Sequence, residues 1–361
     1  MQMEHWTDKD ILQACSFTHF CNNLYENIVE KLKHNRPIST NKQEFIQWQE
    51  KSRINLIHLL KIEDLLKTPS HSFLVEGKHK SSIKEKSITL HHFYIKSWMN
   101  SLIPVYIAIP DNSREYKKRP AVVCLHGHGM RKEDLVGLSH NIVYPGMWAL
   151  DLAKMGCISI VADQWGFGER GSVFKRNSYD HLEKKYALNI LLLGKTLNGL
   201  RIYDAIQQIN YLLSRDDVDP SRIGIAGLSM GGTIASYVTA LDTRVDLAVV
   251  AGFLSTYKAS IINRVHCSDN YIPDILNLGE LGDILSLIAP RNLFFINGIR
   301  DPIFPIESAV QSFNHLQSIY DLFCKKENIG IDITPKGHRW RGSKAYEFIH
   351  RKWFSRSFSN N

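Results

Sequence analysis

Over residues 5 to 66 polar and apolar positions alternate at helical spacing, through Ile11, Phe17, Phe20, Leu24, Ile28, Val29 and Leu32 and then Phe45, Trp48, Ile54, Leu56, Leu59 and Leu60. Pro37 and the run Ser39, Thr40, Asn41 interrupt the pattern, which therefore predicts two helices. Residues 67–87 are rich in Lys, Ser and His and poor in apolar side chains, the composition of a linker. From Ile88 the period changes. Residues 88–95 and 103–109 read as two strands joined by a turn around Met99 to Ser101, and hence as an antiparallel hairpin. Beyond them, short continuous apolar runs at 121–125, 158–162, 223–226, 247–251, 293–296 and 329–333 have the character of strands buried on both faces. Helix-length segments at 148–155, 197–213, 232–240 and 306–320 lie between them. The expectation is an α/β fold: a mostly parallel sheet flanked by helices over 88–361, with a helical extension over 1–66.

One junction in this pattern carries chemistry. Gly227, Ser229 and Gly231 form G-x-S-x-G directly after the run 223–226 and before a helical stretch, the context that gives the motif its meaning. A serine on so sharp a strand-to-helix turn is forced to positive φ, and side chains two positions before and after it would collide, so glycine is required there. The turn lifts the hydroxyl clear of the sheet and leaves the N–H of Met230, at the start of the helix, facing the space where an oxyanion would develop.

A serine hydroxyl needs a base, and the base needs a group that fixes its tautomer. Both are expected after later strands. Asp301 follows the run 293–296 in Asn297-Gly-Ile-Arg-Asp-Pro, and His338 follows 329–333 in Pro335-Lys-Gly-His-Arg-Trp. Asp269 and Asp283 are weaker alternatives for the acid, since neither directly follows a strand. A second oxyanion donor is expected from Leu125-His-Gly-His-Gly, after the run 121–125, with the N–H of His128 the candidate. An H-x-H pair also suits zinc, but the next potential ligands, Glu133 and Asp134, complete no recognised pattern, so neither metal nor cofactor is expected.

These motifs, together with Asp163-Gln-Trp-Gly-Phe-Gly-Glu-Arg, Val218-Asp-Pro-Ser-Arg and Lys336-Gly-His, resemble the α/β-hydrolase superfamily over residues 88–355, and within it the dienelactone hydrolase and acetyl xylan esterase-like branch. The resemblance implies an acyl-enzyme mechanism with Ser229 as nucleophile, and cleavage of carboxylic esters, often small acyl groups on sugars or other polar alcohols. Dienelactone hydrolases proper carry cysteine where this chain has Ser229, which argues for an esterase. An acyltransferase, thioesterase or peptidase would use the same triad, and a non-catalytic ligand-binding role is the alternative from another class. Trp165, Tyr257, His266, Tyr271 and Trp340 lie in loops expected near the crevice mouth, where each would line the pocket or pack beneath it, and residues 263–277 are a candidate lid.

Composition changes little. The 361 residues are 44% hydrophobic and 22% charged, ordinary for a globular chain, and the net charge of +8 is spread along it. The densest basic run, 78–86, is interrupted by Glu85 and reads as a solvated loop, so no nucleic-acid partner is expected. Cys15, Cys21, Cys124, Cys157, Cys267 and Cys324 show no paired or metal-ligand spacing and read as reduced thiols. No basic start followed by an apolar stretch, and no run of eighteen apolar residues, is visible; a cytoplasmic location and no membrane partner are the expectation. The expected partner is a small-molecule ester, and the apolar faces of the extension are expected to pack on the core or on a second subunit.

Overall fold

Alternate residues of the strands face two separate cores, and this fixes the layering. Ala121, Val123, Ile223 and Ile225 point into one core, built with Ile202, Ile209, Ile234 and Val238. Val122, Cys124, Ala226 and Leu228 point into the other, built with Trp148, Leu152, Phe348 and Ile349. The period-two geometry of a strand sends neighbouring side chains to opposite faces, so a sheet apolar at every position must be covered by helices on both sides.

The computed structural model describes residues 16–33, 41–67, 81–85, 87–111, 117–139, 146–171 and 179–355. The strands are β1 (Ser81–Glu85), β2 (Ile88–Lys96), β3 (Leu102–Pro110), β4 (Arg119–Leu125), β5 (Ile158–Ala162), β6 (Val218–Leu228), β7 (Leu247–Ala251), β8 (Asn292–Gly298) and β9 (Ile329–Thr334). They form one sheet in the order β1-β2-β3-β5-β4-β6-β7-β8-β9. The pairings β1–β2, β2–β3 and β3–β5 are antiparallel, and from β5 through β9 every neighbour is parallel. The hairpin expected at 88–109 is present, with Met99 and Asn100 at positive φ in its turn.

The helices are α1 (Phe17–Lys33), α2 (Lys42–Leu60), α3 (Glu63–Lys67), α4 (Lys132–Leu135), α5 (Trp148–Lys154), α6 (Tyr179–Leu192), α7 (Leu197–Leu213), α8 (Met230–Leu241), α9 (Leu281–Ser286), α10 (Ile306–Leu322) and α11 (Ser343–Trp353). Asn41 caps α2 by accepting from the N–H groups of Gln43 and Glu44. Phe45, Leu56 and Leu60 of α2 then enter the first core beside Ile62 and Leu65. Two polar side chains pin the helix. Gln49 donates to the carbonyls of Ser286 and Ala289, each at 2.9 Å, and Arg53 donates to those of Ala240 at 3.0 Å and Leu287 at 2.7 Å. Residues 41–65 thus share a core with the sheet, and β1 lies inside the segment read from sequence as a linker.

Six parallel strands in register bring their carboxyl ends to one edge. The loops after β4, β6, β8 and β9 all leave from it, the position at which open α/β sheets build their sites. None of the described helices is long and apolar enough to cross a membrane.

Candidate active site

Ser229 sits between β6 and α8 with φ 56° and ψ −119°. The two flanking glycines are enforced by backbone approach: a Cβ on Gly227 would lie 2.1 Å from the Gly231 carbonyl oxygen, and one on Gly231 would lie 2.2 Å from that of Leu125. The strained residue is held at both ends, by its own N–H to the Ala251 carbonyl at 2.9 Å and by its carbonyl accepting from Thr233 N–H at 2.8 Å.

Asp301 and His338 are assembled by the ends of two adjacent strands. Backbone bonds from Ile299 N–H to Thr334 and from Arg300 N–H to Lys336 zip the two loops together, at 2.9 and 3.1 Å. Only glycine fits at 298, where a Cβ would meet the Lys336 carbonyl at 2.4 Å. The Asp301 carboxyl is buried; Oδ1 accepts from the N–H groups of Ile303 at 2.9 Å and Phe304 at 3.1 Å, and Oδ2 lies 2.7 Å from His338 Nδ1. A carboxylate can only accept, so Nδ1 carries the proton and Nε2 keeps its lone pair. The Phe304 ring stacks on the imidazole at 5.7 Å. Gly252 completes the mould at φ +57°, where a Cβ would lie 2.8 Å from His338 Cε1.

His338 Nε2 is buried and has no hydrogen-bond partner among the described residues. It faces a cavity of about 150 Å³ lined by Gly127, His128, Met130, Leu228, Ser229, Cys267, Ile303 and His338. Serine and imidazole thus share one small chamber. Met230 is the first residue of α8, so its N–H has no preceding turn to bond and lies beside Ser229. The loop after β4 closes the opposite wall, and Gly127 approaches so closely that a Cβ there would stand 3.2 Å from the Leu228 carbonyl oxygen.

The two histidines of that loop do different things. His126 is fully buried; Nδ1 donates to the Gly127 carbonyl at 2.9 Å and Nε2 accepts from Gln164 N–H at 3.0 Å, and burial lowers its pKa to about 4. It is a neutral strut. His128 reaches the chamber with Nδ1 3.1 Å from Glu183 Oε2. Burial would lower its pKa, but hydrogen bonds to Cys267 and Glu183 more than offset this and raise it to about 11. Glu183 is itself clamped, since Arg201, fully buried, donates to its Oε1 at 2.9 Å, to Asp269 Oδ2 at 2.7 Å and to the Trp165 carbonyl at 2.7 Å.

Of the aromatic candidates, none besides His128 lines this chamber. Trp340 stacks on Trp148 at 4.6 Å and donates to the Tyr346 hydroxyl, a packing role. Tyr257 is buried with its hydroxyl on that of Tyr237. Trp165 lies beneath the Arg170 guanidinium at 3.6 Å. Tyr271 lines a different cavity, of about 190 Å³, with Leu188 and Leu191. His266 stands with its ring against Phe304 at 5.1 Å; Nδ1 accepts from Asn270 at 3.0 Å and Nε2 meets Ser260 Oγ at 3.1 Å. Burial first, and then His338, lowers its pKa to about 4. The candidate lid is anchored where Asp269 meets Arg201 and Asn270 meets Thr233 Oγ1 at 3.1 Å, and it contributes Cys267 to the chamber. Met130, Ile303 and Glu183 went unmarked in the sequence because no motif distinguishes them; Leu228, inside G-x-S-x-G, and Cys267, inside the candidate lid, were not singled out as lining residues.

The buried pair Lys132 and Asp163, 2.6 Å apart, ties the loop after β5 to α4, with Glu133 and Glu169 each 2.8 Å from the ammonium. The conspicuous Asp163 motif is therefore architectural. Gly168, at φ +51°, leaves room for the Asp163 carboxylate, which a Cβ would meet at 2.2 Å.

The chain is similar to known proteins. The profile of the abhydrolase family matches residues 16–357. A protein of Bacillus subtilis (strain 168) named "Putative hydrolase YtaP" is 32% identical over 209 residues, covering 56% of this chain and 67% of that one. A solved structure titled a "putative acetyl xylan esterase" from Bacteroides fragilis NCTC 9343 superposes with TM-score 0.71 at 18% identity, covering 92% of this chain and 83% of its own. The acetyl xylan esterase from Paenibacillus sp. R4 does so with TM-score 0.57 at 18% identity, covering 90% and 99%. At such identities the two structures are likenesses of fold.

Proposed function

Because the chain belongs to the abhydrolase family, in the α/β-hydrolase fold, we propose that it is a serine hydrolase that cleaves a carboxylic ester of a short acyl group through an acyl-enzyme. Ser229 Oγ attacks the ester carbonyl, and His338 Nε2 takes its proton. Asp301 holds the imidazole in the accepting tautomer and stabilises the imidazolium that forms. The N–H groups of Met230 and His128 receive the oxyanion; each such donor is worth about 3 kcal/mol in the transition state. His338 then protonates the leaving alcohol, and water, activated by the same nitrogen, releases the acid.

The observation that carries this reading is the shared chamber: a strained serine and a histidine whose Nε2 has no partner among the described residues line the same cavity. Its size supports a short acyl group, since the chamber measures only about 150 Å³. The acetyl xylan esterases of like fold are named for removing a small acyl group from a sugar polymer. Hydrolysis of p-nitrophenyl esters from acetate to octanoate tests it. The expected result is the highest kcat/KM on the shortest chains, with loss of turnover in Ser229→Ala. A preference for octanoate would contradict the short acyl group, and a folded protein inert towards every ester would contradict ester hydrolysis.

A further inference from the structure

A second convergence of chemistry-bearing side chains borders the same chamber and is not used by the triad. His128 comes from the loop after β4, Glu183 from α6 and Cys267 from the segment after β7. A ring nitrogen, a carboxylate oxygen and the thiol sulfur all lie within 4.8 Å of one another. We propose that His128, Glu183 and Cys267 form a zinc site in the wall of the chamber, and that Zn²⁺ bound there blocks access to Ser229.

The donor types select the metal. One imidazole nitrogen, one thiolate and one carboxylate form the mixed N/S/O set that suits Zn²⁺, whereas Mg²⁺ and Ca²⁺ take oxygen donors. Zinc bonds of about 2.0–2.3 Å in a tetrahedron place neighbouring donors about 3.3–3.7 Å apart. His128 Nδ1 and Glu183 Oε2 already stand 3.1 Å apart, and the remaining separations, within 4.8 Å, need close by no more than about 1.5 Å. Glu183 is held for the purpose, its other oxygen fixed by the buried Arg201. Three protein donors leave a fourth position, and His128 and Cys267 both line the cavity that holds Ser229 and His338, so that position opens towards the nucleophile.

The charges also close. Arg201 is balanced by Asp269, 2.7 Å away, and Zn²⁺ would be balanced by the Glu183 carboxylate and the Cys267 thiolate. Binding expels the thiol proton, and any proton on the ligating ring nitrogen, into solvent. Among the described residues the carboxylates of Glu133, Asp163 and Glu169 also converge, but they already enclose the Lys132 ammonium. His128 showed no metal pattern in the sequence because its partners come from α6 and from beyond β7 rather than from the residues next to it, and His126 takes no part.

The blocking half rests on Ser229 as nucleophile; the site itself does not. The full chain, stripped with a chelator, is titrated with Co²⁺ and then with Zn²⁺ against a chromogenic chelator. The expected result is one equivalent bound, with thiolate-to-cobalt charge-transfer absorption in the near ultraviolet. Cys267→Ser is expected to lose that band and to bind Zn²⁺ at least tenfold more weakly, while Cys324→Ser, at an exposed thiol, keeps both. In the wild-type protein Zn²⁺ should also protect Cys267 from alkylation, read by peptide mass. No stoichiometric binding, a Cys267→Ser variant with unchanged binding, or an unprotected Cys267 would overturn the site. Zinc that binds with all these signatures yet leaves p-nitrophenyl acetate hydrolysis unchanged would overturn the blocking, and failure of Ser229 as nucleophile would leave the cobalt spectrum as it is.

Discussion

His338 is held by contact on every side that does not face the chamber. Asp301 bonds its Nδ1, Phe304 stacks on its face and the bare α-carbon of Gly252 lies against Cε1. Gly252→Ala would force both the ring and a positive-φ backbone to give, so kcat for a p-nitrophenyl ester should fall about 10- to 100-fold with little change in KM, since small displacements of a reacting group cost that much. Asp301→Asn leaves the shape but offers Nδ1 a donor amide in one flip state, which favours the wrong tautomer; the expected loss is about 10⁴-fold in kcat. An Asp301→Asn enzyme within tenfold of wild type would contradict the assigned role. That Ser229, Asp301 and His338 stand beyond strand ends was legible in the sequence, because each follows an apolar run by a few residues and Ser229 lies between two glycines. Glu183 and Cys267 were not, since proximity to His128 is a tertiary fact. Trp340 and Tyr257 looked like pocket residues because aromatic side chains serve cores and clefts alike.

Among the elements, α2 was read from sequence as part of an extension, and its periodicity was correct while its affiliation was open. Leu56 and Leu60 are fully buried against the core of the sheet, and Gln49 and Arg53 satisfy four carbonyls at the ends of α8 and α9. Leu56→Ala should therefore cost about 2–5 kcal/mol of global stability, measured by urea unfolding. Gln49→Leu should cost about 1–3 kcal/mol by leaving two carbonyls without their donor. A change under 0.5 kcal/mol in both, a threshold of about the ordinary surface effect, would mean that the helix does not share the cooperative core. The parallel strands were legible to within two residues at each end, because burial leaves short apolar runs, except that β6 begins five residues before its run, at Val218, in the polar stretch Asp219-Pro-Ser-Arg. β1 was hidden: Ser81-Ser-Ile-Lys-Glu has no apolar alternation and owes its strand to pairing with β2. α6 was hidden too, since its apolar positions do not form one stripe; Leu188, Leu191 and Leu192 are exposed.

At the scale of the whole molecule, the buried neutral His126 links stability to pH. Its pKa is lowered to about 4 in the fold, from an ordinary 6.5, so the unfolded chain takes up a proton first. Its contribution is complete above pH 6.5 and is lost as pH falls from 6.5 towards 4, by about 3 kcal/mol. Denaturant unfolding at pH 7.5, 5.5 and 4.5 should show this decline added to that of His266, whose pKa is also lowered to about 4, and His126→Asn should make it shallower without abolishing it; equal slopes in the two proteins would contradict the link. Glu169, held down to about 2 despite partial burial by Lys132 and Tyr94, acts in a separate window below pH 4.5. The same sheet that buries His126 carries the ends of β6, β8 and β9 to one edge, beside which Ser229, Asp301 and His338 stand, and a nucleophilic Ser229 is the expected consequence. Incubation with a fluorophosphonate probe, followed by intact and peptide mass spectrometry, tests it most directly. The expected result is one adduct per chain on the Ser229 peptide, formed at least 100-fold more slowly in His338→Ala, as expected when a nucleophile loses its base, and absent in Ser229→Ala. A folded wild-type protein that takes up no probe, or carries it on another residue, would contradict the claim.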